Sequence, residues 1–422
     1  MDVQPLSDLG PAALDAVRSR DAGLDAVRSD VRDIVGRVRT DGDEALYEFN
    51  RRFDDVDSDT LVATDAIAGA ADAIDEDLRD ALDVAIGRVR SFHERQRRDD
   101  WTDDFGGVTL GRQFRPIERI GAYVPGGTAA YPSTAIMTIV PAKVAGVEEV
   151  AVVTPPADEP DPVTLAALDL AGADEAYTVG GAQAIAALAY GTDSIPPVEK
   201  IVGPGNRWVA AAKAEVRGDV AIDMIAGPTE VLVVADGTAA PEYVAAELVA
   251  QAEHDPHSSA AAVVTDESVA EAVVEEVDRQ LPGLSRRDVV REALANDSSG
   301  VFLADSLAEA TAFAESYAAE HLVVQTANPE PIVEAIDSAG SVFVGEFSPV
   351  AAGDYASGTN HALPTAKAAR TTGGLSVDTF VRSRTIQELD REGLESISEP
   401  IVTLAELEGL DAHAESVRRR LE

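Results

Sequence analysis

Short β-rich runs alternate with helical stretches through the middle of this 422-residue chain, and no other feature limits its possible folds as strongly. The first block contains the runs Glu149–Thr154, Ala176–Val179 and Lys200–Val202, separated by helical stretches at Pro162–Ala171 and Gln183–Tyr190. Strands joined through helices in this way are parallel neighbours, because the connecting helix returns the chain to the same edge of the sheet. The pattern predicts a parallel sheet with helices on its faces.

A second block of the same kind follows. Its expected strands are Val231–Val234, Ala260–Thr265, Val301–Leu303, His321–Gln325 and Ser341–Val344. Its expected helices are Pro241–His254, Val269–Gln280, Ser306–Ala319 and one that begins at Pro331. The first hundred residues and the segments after Gly374 have helical spacing instead, most clearly Ala405–Leu421. The coarse architecture is therefore two α/β units with helical ends.

The charge balance is strongly acidic, with 76 Asp and Glu residues against 34 Lys and Arg and a formal net charge of −42. The acids are spread along the chain in short runs such as Asp75-Glu76-Asp77. Concentrated salt screens such self-repulsion, since the Debye length falls to about 3 Å at 1 M. The composition predicts adaptation to a salty cytoplasm. It also predicts no nucleic-acid partner, because phosphates need a basic face.

Cysteine is absent, which excludes disulfides, a thiol nucleophile and thiolate zinc sites. Any metal site must use nitrogen and oxygen ligands. The segment Met1–Pro11 is polar and acidic, and no apolar run approaches the roughly 20 residues of a membrane span. We expect a soluble, cytoplasmic protein that has no membrane partner.

The common catalytic fingerprints are missing. Gly203-x-Gly205 follows a predicted strand, but Trp208 occupies the last position of the dinucleotide motif G-x-G-x-x-G. The motifs Gly-x-Ser-x-Gly and His-Glu-x-x-His do not occur either. Any NAD site in this chain would therefore be an unusual one.

The chain has six histidines, and two of them stand beside a second candidate ligand or base. Gln251 and His254 lie three residues apart near a helix end, which puts both on one face. The pair fits chelation of one ion, and it equally fits a histidine favoured by the helix dipole. Glu320-His321 lies where a helix gives way to a strand and supplies two bases. Adjacent side chains usually point apart, so a surface position fits as well.

The remaining candidates lie nearer the C-terminus. Asp354 and His361 belong to a polar, glycine-rich segment in which one could ligate a cation and the other could contact a substrate. A connecting turn would explain the glycines alone. His413 follows Glu408 in the last predicted helix and, taken alone, fits an exposed surface position. Local patterns thus indicate an α/β enzyme with a candidate nitrogen–oxygen metal site.

A series of motifs in one fixed order, from roughly residue 25 to the end, resembles the histidinol dehydrogenase family. The motifs are Tyr123-Val124-Pro125-Gly126-Gly127, Gly203-Pro204-Gly205-Asn206, Ile225-Ala226-Gly227-Pro228-Thr229-Glu230-Val231-Leu232, Gln251-Ala252-Glu253-His254-Asp255-Pro256, Glu320-His321-Leu322, Ala352 through His361-Ala362-Leu363-Pro364-Thr365, and Gly374-Leu375-Ser376-Val377. Several independent motifs in order are far more specific than any one of them.

The resemblance implies oxidation of L-histidinol through L-histidinaldehyde to L-histidine, the last two steps of histidine synthesis, with two NAD reduced. It also implies one Zn²⁺ per subunit, with the ligands Gln251, His254, Asp354 and His413. Nitrogen and oxygen ligands suit this ion and leave room for substrate. Because the family takes its last ligand from the partner subunit, a homodimer with shared active sites is implied.

The same resemblance assigns the other roles. His321 would take the alcohol proton, and Glu320 would activate water for addition to the aldehyde. Substrate contacts are implied for Thr229, Gln251, His254, His321, Asp354, His361, Glu408 and His413, the last two supplied by the partner. The NAD site would be lined by Tyr123, Gln183 and Asn206.

Two positions depart from the family pattern. Ala319 stands where the family commonly has Pro, and Thr229 stands where it usually has Ser. Neither change removes a reacting group, so we expect altered affinity and not an altered reaction.

We expect an α/β fold with two Rossmann-like, incompletely doubly wound parallel-sheet domains plus small helical N- and C-terminal segments. The predicted borders are 1–23 for the N-terminal helical segment, 24–122 with 230–374 for a discontinuous first α/β domain, 123–229 for a second, NAD-associated α/β domain, and 375–422 for a C-terminal helical segment that contributes to the partner's active site.

Three rival functions would use the same residues. A zinc hydrolase would need a metal-bound water and no NAD. A related dehydrogenase would oxidise another amino alcohol or a sulfonated diol, although Glu408, His361 and the ligand set match the histidinol-specific pattern. An inactive homologue would act only in binding, and the presence of both bases and every ligand argues against it.

Overall fold

The computed structural model describes residues 1–20, 23–126, 131–158 and 160–422. The strands are β1 (Val3–Pro5), β2 (Trp101–Asp104), β3 (Val108–Pro116), β4 (Arg119–Tyr123), β5 (Glu149–Thr154), β6 (Glu175–Thr178), β7 (Lys200–Val202), β8 (Ala221–Ile222), β9 (Glu230–Ala235), β10 (Ser259–Val264), β11 (Gly300–Leu303), β12 (His321–Gln325), β13 (Ser341–Val344) and β14 (Val381–Leu389). The helices are α1 (Pro11–Arg18), α2 (Leu24–Asp41), α3 (Asp43–Phe53), α4 (Thr64–Ile67), α5 (Glu76–Glu94), α6 (Pro132–Ala145), α7 (Pro162–Ala171), α8 (Gly181–Tyr190), α9 (Arg207–Val216), α10 (Pro241–Ala252), α11 (Glu267–Gln280), α12 (Arg287–Leu294), α13 (Leu307–Tyr317), α14 (Glu330–Ala335), α15 (Val350–Tyr355), α16 (Arg391–Leu407) and α17 (Asp411–Leu421).

Six parallel strands form the larger sheet in the order β1-β11-β10-β9-β12-β13. The central strands β9, β10 and β12 are buried along their whole length, as expected for parallel strands covered on both faces. Val231 and Val233 pack into the core beneath α10 and α11, whereas Leu232 and Val234 pack into the core beneath α13. The two-residue period of the strand thus supplies both cores from one run of apolar side chains.

Five parallel strands form the second sheet in the order β6-β5-β4-β7-β8. Helices α2, α3, α8 and α9 cover one face, and α5, α6 and α7 cover the other. The smaller sheet and the strands β11-β10-β9-β12-β13 of the larger sheet have the same order. If the strands of each block are numbered along the chain, that order is 3-2-1-4-5. This is the order of a mononucleotide-binding half of a Rossmann fold. The prediction of two Rossmann-like parallel sheets is confirmed.

The terminal segments contain strands that the sequence analysis missed. Strand β1 lies within the predicted N-terminal helical segment and adds to the edge of the larger sheet. Strand β14 pairs antiparallel with β3, and β2 completes a separate three-stranded sheet. Most β14 side chains are exposed on both faces, so the strand lacks the apolar alternation that identifies a half-buried one.

The predicted helix Ala405–Leu421 is wrong in its continuity. Helix α16 ends at Leu407, Gly409 takes a φ of 73°, and α17 begins at Asp411. Glycine reaches this left-handed conformation without a Cβ clash and so allows the chain to leave one helix and start another.

The helices of residues 24–94 pack on the five-stranded sheet, although the sequence prediction grouped residues 24–122 with the other α/β domain. Val31 of α2 and Leu46 of α3 join the core that contains Ile185, and Val89 of α5 joins the core on the opposite face. Strand β4 also begins before residue 123, the predicted border. Among the described helices, none is both long and apolar enough to cross a membrane.

Candidate active site

The amino ends of two neighbouring strands, β9 and β12, bring the candidate bases together. The register pairs His321 with Val231, so Thr229 and Glu230 stand beside Glu320 and His321 at one edge of the larger sheet. Helix α13 ends at Tyr317, and Ala318 turns the chain into β12 with a φ of 55°. The predicted helix-to-strand junction at Glu320-His321 is confirmed. The resulting site lies at the amino edge, unlike the usual carboxyl-edge crevice of open α/β sheets.

Glu320 is a buried carboxyl group held by two donors. Its Oε2 accepts a hydrogen bond from the Thr229 hydroxyl at 2.6 Å and another from the Glu230 backbone N–H at 2.9 Å. Burial raises the pKa of Glu320 to about 7, although both hydrogen bonds favour the ionised form. A carboxyl group with this pKa can exchange a proton at neutral pH.

The backbone of β9 holds the His321 ring in one orientation. Its Nδ1 donates to the backbone carbonyl of Glu230 at 3.1 Å, because a carbonyl oxygen can only accept. In the neutral ring Nε2 is then the basic atom, and it is buried with no hydrogen-bond partner among the described residues. Burial lowers the pKa of His321, so the ring is neutral and available as a base. Nε2 lies 3.9 Å from Oδ1 of Asp354.

The end of α10 contributes Gln251 and His254. The Gln251 Nε2 donates to the Thr229 hydroxyl oxygen at 2.8 Å, which leaves its Oε1 as the atom for a cation. Helix α10 ends at Ala252, two residues before the predicted end, and the backbone N–H of His254 bonds to the Gln251 carbonyl at 3.4 Å. This turn continues the helical direction, so both side chains reach the site. Burial lowers the pKa of His254, and the nearby His321 adds to the effect.

The segment that contains Asp354 and His361 also lies beside His321. Residues up to Tyr355 form the short helix α15, where the sequence predicted only a loop. The His361 Nδ1 donates to the Asp354 carbonyl at 3.1 Å. Burial raises the pKa of Asp354 to about 6 and lowers that of His361 to about 4. The site therefore holds neutral imidazoles beside acidic groups that ionise near neutral pH.

The predicted zinc ligands are only partly brought together within one chain. Gln251, His254 and Asp354 lie near the two bases, although the side chain of His254 is exposed, and His413 lies exposed on α17. Glu408, just beyond α16, is exposed as well. Within the described ranges, no cluster of three or more His, Cys, Asp or Glu side chains could hold a metal ion. An amide oxygen, an imidazole and a carboxylate fit Zn²⁺, but a tetrahedral site needs one more donor.

The three predicted NAD residues lie together at the carboxyl edge of the five-stranded sheet. Tyr123 ends β4, and its hydroxyl oxygen accepts from the backbone N–H of Gly181 at 3.1 Å. Gln183 is buried in the first turn of α8. Asn206 is the exposed N-cap residue of α9 after β7, and its side chain accepts from two backbone N–H groups. This edge between β4 and β7 is the sheet's topological switch point, where α/β folds bind ligands. Gly127 of the first motif lies outside the described residues.

The model of one protein family, histidinol dehydrogenase, matches residues 17–421 of the chain. The chain belongs to the histidinol dehydrogenase family. The histidinol dehydrogenase of Haloarcula marismortui is 61% identical over the full length of both chains, and that of Halobacterium salinarum is 56% identical, also over both full lengths. The crystal structure of the enzyme from Elizabethkingia anophelis superposes with a TM-score of 0.92 at 37% identity and covers 100% of this chain and 97% of that one.

Membership in the histidinol dehydrogenase family confirms the resemblance that the ordered motifs indicated. It confirms the predictions of an NAD-dependent oxidoreductase and of a role in histidine biosynthesis. The structural match extends over the whole chain.

Two charged residues at this site were not identified by the sequence analysis. Glu230 contributes its backbone to both bases and has a fully buried side chain, which ion-pairs with the buried Arg20. Glu230 belongs to one of the family motifs and directly precedes the apolar residues of a strand. Its position could therefore have indicated a buried charge. Arg20 lies outside every motif, and no local pattern distinguishes it from the other arginines of the N-terminal helices.

Proposed function

We propose that this chain oxidises L-histidinol through L-histidinaldehyde to L-histidine at the amino edge of the larger sheet, with two NAD reduced. One observation carries the proposal: the turn between α13 and β12 presents a neutral imidazole directly beside a carboxyl group of near-neutral pKa, and the buried Nε2 of this imidazole has no hydrogen-bond partner in the described part of the chain. Two successive oxidations need two proton acceptors with different tasks, and these two groups supply them.

In the first oxidation, His321 would accept the hydroxyl proton of the alcohol at Nε2. The Glu230 carbonyl holds Nδ1–H throughout, so the imidazolium that forms keeps its orientation. The C–H bond of the carbinol carbon breaks as its electron pair leaves with the hydride, and the carbonyl of the aldehyde forms. NAD supplies the hydride acceptor in each of the two oxidations when it is bound.

In the second oxidation, Glu320 would take a proton from water as the water oxygen adds to the aldehyde carbon. Its Oε2 is committed to Thr229 and to the Glu230 N–H, which leaves Oε1 to face the water. The resulting gem-diolate loses a second hydride to give the carboxylic acid, which releases its proton to solvent as the product carboxylate. Because the pKa of Glu320 is about 7, both the ionised and the protonated form of its carboxyl group are populated near neutral pH.

We further propose that Gln251, His254 and Asp354 hold one Zn²⁺ together with His413 of the partner subunit, and that Glu408 of the partner subunit contacts the substrate. The donor set fits, since desolvation lowers the pKa of His254 and a neutral imidazole can ligate. His413 and Glu408 are both exposed in the C-terminal segment, where a neighbouring chain could contact them. When bound, the ion would orient the substrate through its imidazole and amine and would not need to generate hydroxide. Thr229 and His361 would contact the substrate from this chain.

We also propose that Tyr123, Gln183 and Asn206 line the NAD site, and that the acidic surface adapts a cytoplasmic homodimer to high salt. The net charge of −42 and the similarity to chains from Haloarcula and Halobacterium support the second point.

The proposal is tested by NADH absorbance on addition of L-histidinol in molar KCl, with and without a chelator. We expect NADH formation that the chelator abolishes and added zinc restores. His321→Asn should lower turnover by about 10²–10⁴-fold while its zinc content stays equal to wild type. A chain that forms no NADH with intact metal content would overturn the proposal and favour a hydrolase.

A further inference from the structure

Arg20 is a buried cation that the proposed reaction does not use. It lies two residues beyond the end of α1, and only 9% of its surface is exposed. Its Nη2 donates to the backbone carbonyl of Tyr317 at 2.6 Å, and its guanidinium lies 4.0 Å from the centre of the Tyr317 ring. Its Nε forms an ion pair with Oε2 of Glu230. One side chain from the start of the protein thus joins two distant segments.

Both segments lead directly to the candidate bases. Tyr317 is the last residue of α13, three positions before Glu320. Between them Ala318 has a φ of 55°, a left-handed conformation that an alanine adopts only when its surroundings enforce it. Glu230 begins β9, where its N–H holds the Glu320 carboxyl and its carbonyl holds the His321 ring. Arg20 therefore ties the end of α13 to the residue that orients both bases.

The ion pair between Arg20 and Glu230 is buried, so each charge depends on the other. The Glu230 side chain is fully buried, and burial raises its pKa while the charge of Arg20 opposes that rise. Removal of one partner from a buried ion pair leaves the other charge uncompensated. Without Arg20, Glu230 would have to take up a proton or shift toward water, and such a shift of the side chain would disturb its backbone contacts to Glu320 and His321.

We propose that Arg20 is a positioning residue for Glu320 and His321, so that the N-terminal segment takes part in setting the geometry of the reaction. This inference rests on the proposed function for its kinetic test. The geometric part stands apart from the identity of the substrate, because it concerns only how the bases are held.

Arg370 offers a matched control. It donates to the Ser316 carbonyl at 2.8 Å, one residue from the carbonyl that Arg20 binds, yet among the described residues it pairs with no atom of Glu230. Substitution of Arg370 removes a cation from the same helix end and leaves the Glu230 contacts intact. A general role of arginine in stabilising α13 would make both positions equally sensitive.

The test compares Arg20→Gln, Arg20→Lys and Arg370→Gln in the zinc-loaded enzyme. We expect Arg20→Gln to lower kcat by about 100-fold, the size of effect that small misplacement of reacting groups produces, with unchanged KM for NAD. Arg20→Lys should recover part of the lost kcat because it keeps the positive charge. The recovery should be incomplete because a lysine cannot contact both the Tyr317 carbonyl and the Glu230 carboxylate as arginine does. Arg370→Gln should keep kcat within about twofold of wild type, as for surface changes. Equal losses in Arg20→Gln and Arg370→Gln, or a wild-type kcat in Arg20→Gln, would overturn the inference.

Two further measurements keep the result decisive. If Arg20→Gln fails to fold, the double variant Arg20→Gln/Glu230→Gln leaves no unpaired buried charge, and a wild-type kcat in it would overturn the inference. The ¹⁵N shifts of the His321 ring, assigned with His321→Asn, report whether Nδ1 keeps its proton. We expect the proton on Nδ1 in wild type and in Arg370→Gln, and a mixture of ring states in Arg20→Gln. Unchanged shifts in Arg20→Gln would refute the positioning role, even if wild type forms no NADH with histidinol and the proposed function fails.

Discussion

The hydroxyl of Thr229 donates a 2.6 Å hydrogen bond to Oε2 of Glu320 and accepts one of 2.8 Å from Nε2 of Gln251. A single side chain thus connects a proposed base with a proposed zinc ligand. The hydroxyl can act as donor and acceptor at once. A threonine at this position can therefore form the same two hydrogen bonds as a serine. The added methyl group changes shape without removing either bond.

Thr229→Val should raise the pKa of Glu320 above its value of about 7, because the lost hydrogen bond favoured the ionised form. Since Glu320 works ionised, the acid limb of the pH profile for aldehyde oxidation should move to higher pH by roughly one unit. Thr229→Ser keeps the hydroxyl and should leave the limb in place. A shift to lower pH in the valine variant would contradict the assigned role of Glu320.

Lys213 and Asp223 should control the loop that precedes Asn206. Lys213 donates to the Gly203 carbonyl and to Asp223, both at 2.6 Å, and Asp223 accepts the Gly203 N–H at 2.8 Å. Loss of one partner from such a buried pair costs about 3–5 kcal/mol. Lys213→Met should therefore lower the melting temperature and weaken NAD binding in calorimetric titration.

Lys143→Met is the control for this loop. Lys143 also forms a 2.6 Å ion pair, with Asp174, but that partner is partly exposed and lies outside the proposed NAD site. We expect a smaller loss of stability and unchanged NAD affinity. Equal NAD affinity in wild type and Lys213→Met would remove the pair from any role in the cofactor loop.

The prediction of both sheets from the sequence succeeded because β5, β9, β10 and β12 carry unbroken runs of Val, Leu and Ala. The bounds of β5, β7, β12 and β13 agree with the predicted ones. Strand β4, the central strand of the smaller sheet, was missed because Gly121 interrupts its apolar residues. Strands β1 and β14 were missed since they are short or exposed and owe their form to pairing with distant partners. Propensity and periodicity cannot report a pairing between Val381 and Pro116.

The sequence predicted which residues form the candidate site, but it did not predict which hydrogen bonds hold them. The motifs identified Glu320, His321 and Gln251, and the structure brings them to one edge. Their hydrogen-bond partners came only from the fold, because the Glu230 backbone has no signature in the sequence. Arg20 stayed hidden for the same reason, since its importance lies in contacts across 297 positions of the chain.

Salt should stabilise the protein strongly. The formal charge of −42 produces self-repulsion that ions screen. We expect the melting temperature to rise continuously between about 0.1 and 2 M KCl, and more than that of a neutral protein of similar size. A melting temperature that is independent of KCl would contradict adaptation to high salt.

Hybrid dimers should separate the contributions of the two subunits. His413→Ala and His321→Asn chains are each expected to be inactive alone, because each damages both sites of its dimer. Mixing after reversible dissociation should restore activity, since a hybrid dimer has one site with neither substitution. We expect about a quarter of the wild-type rate from random pairing. No recovery in verified hybrids would contradict a site shared between subunits.

The number of NADH formed per L-histidinol by Glu320→Gln shows whether Glu320 and His321 serve different oxidation steps. The amide keeps the shape of the side chain but cannot take the proton of the attacking water, whereas His321 is untouched. We predict two NADH per histidinol in wild type. In Glu320→Gln we predict one, with histidinaldehyde as the product over the same period. Two NADH at the wild-type rate in Glu320→Gln would contradict the division of labour between Glu320 and His321.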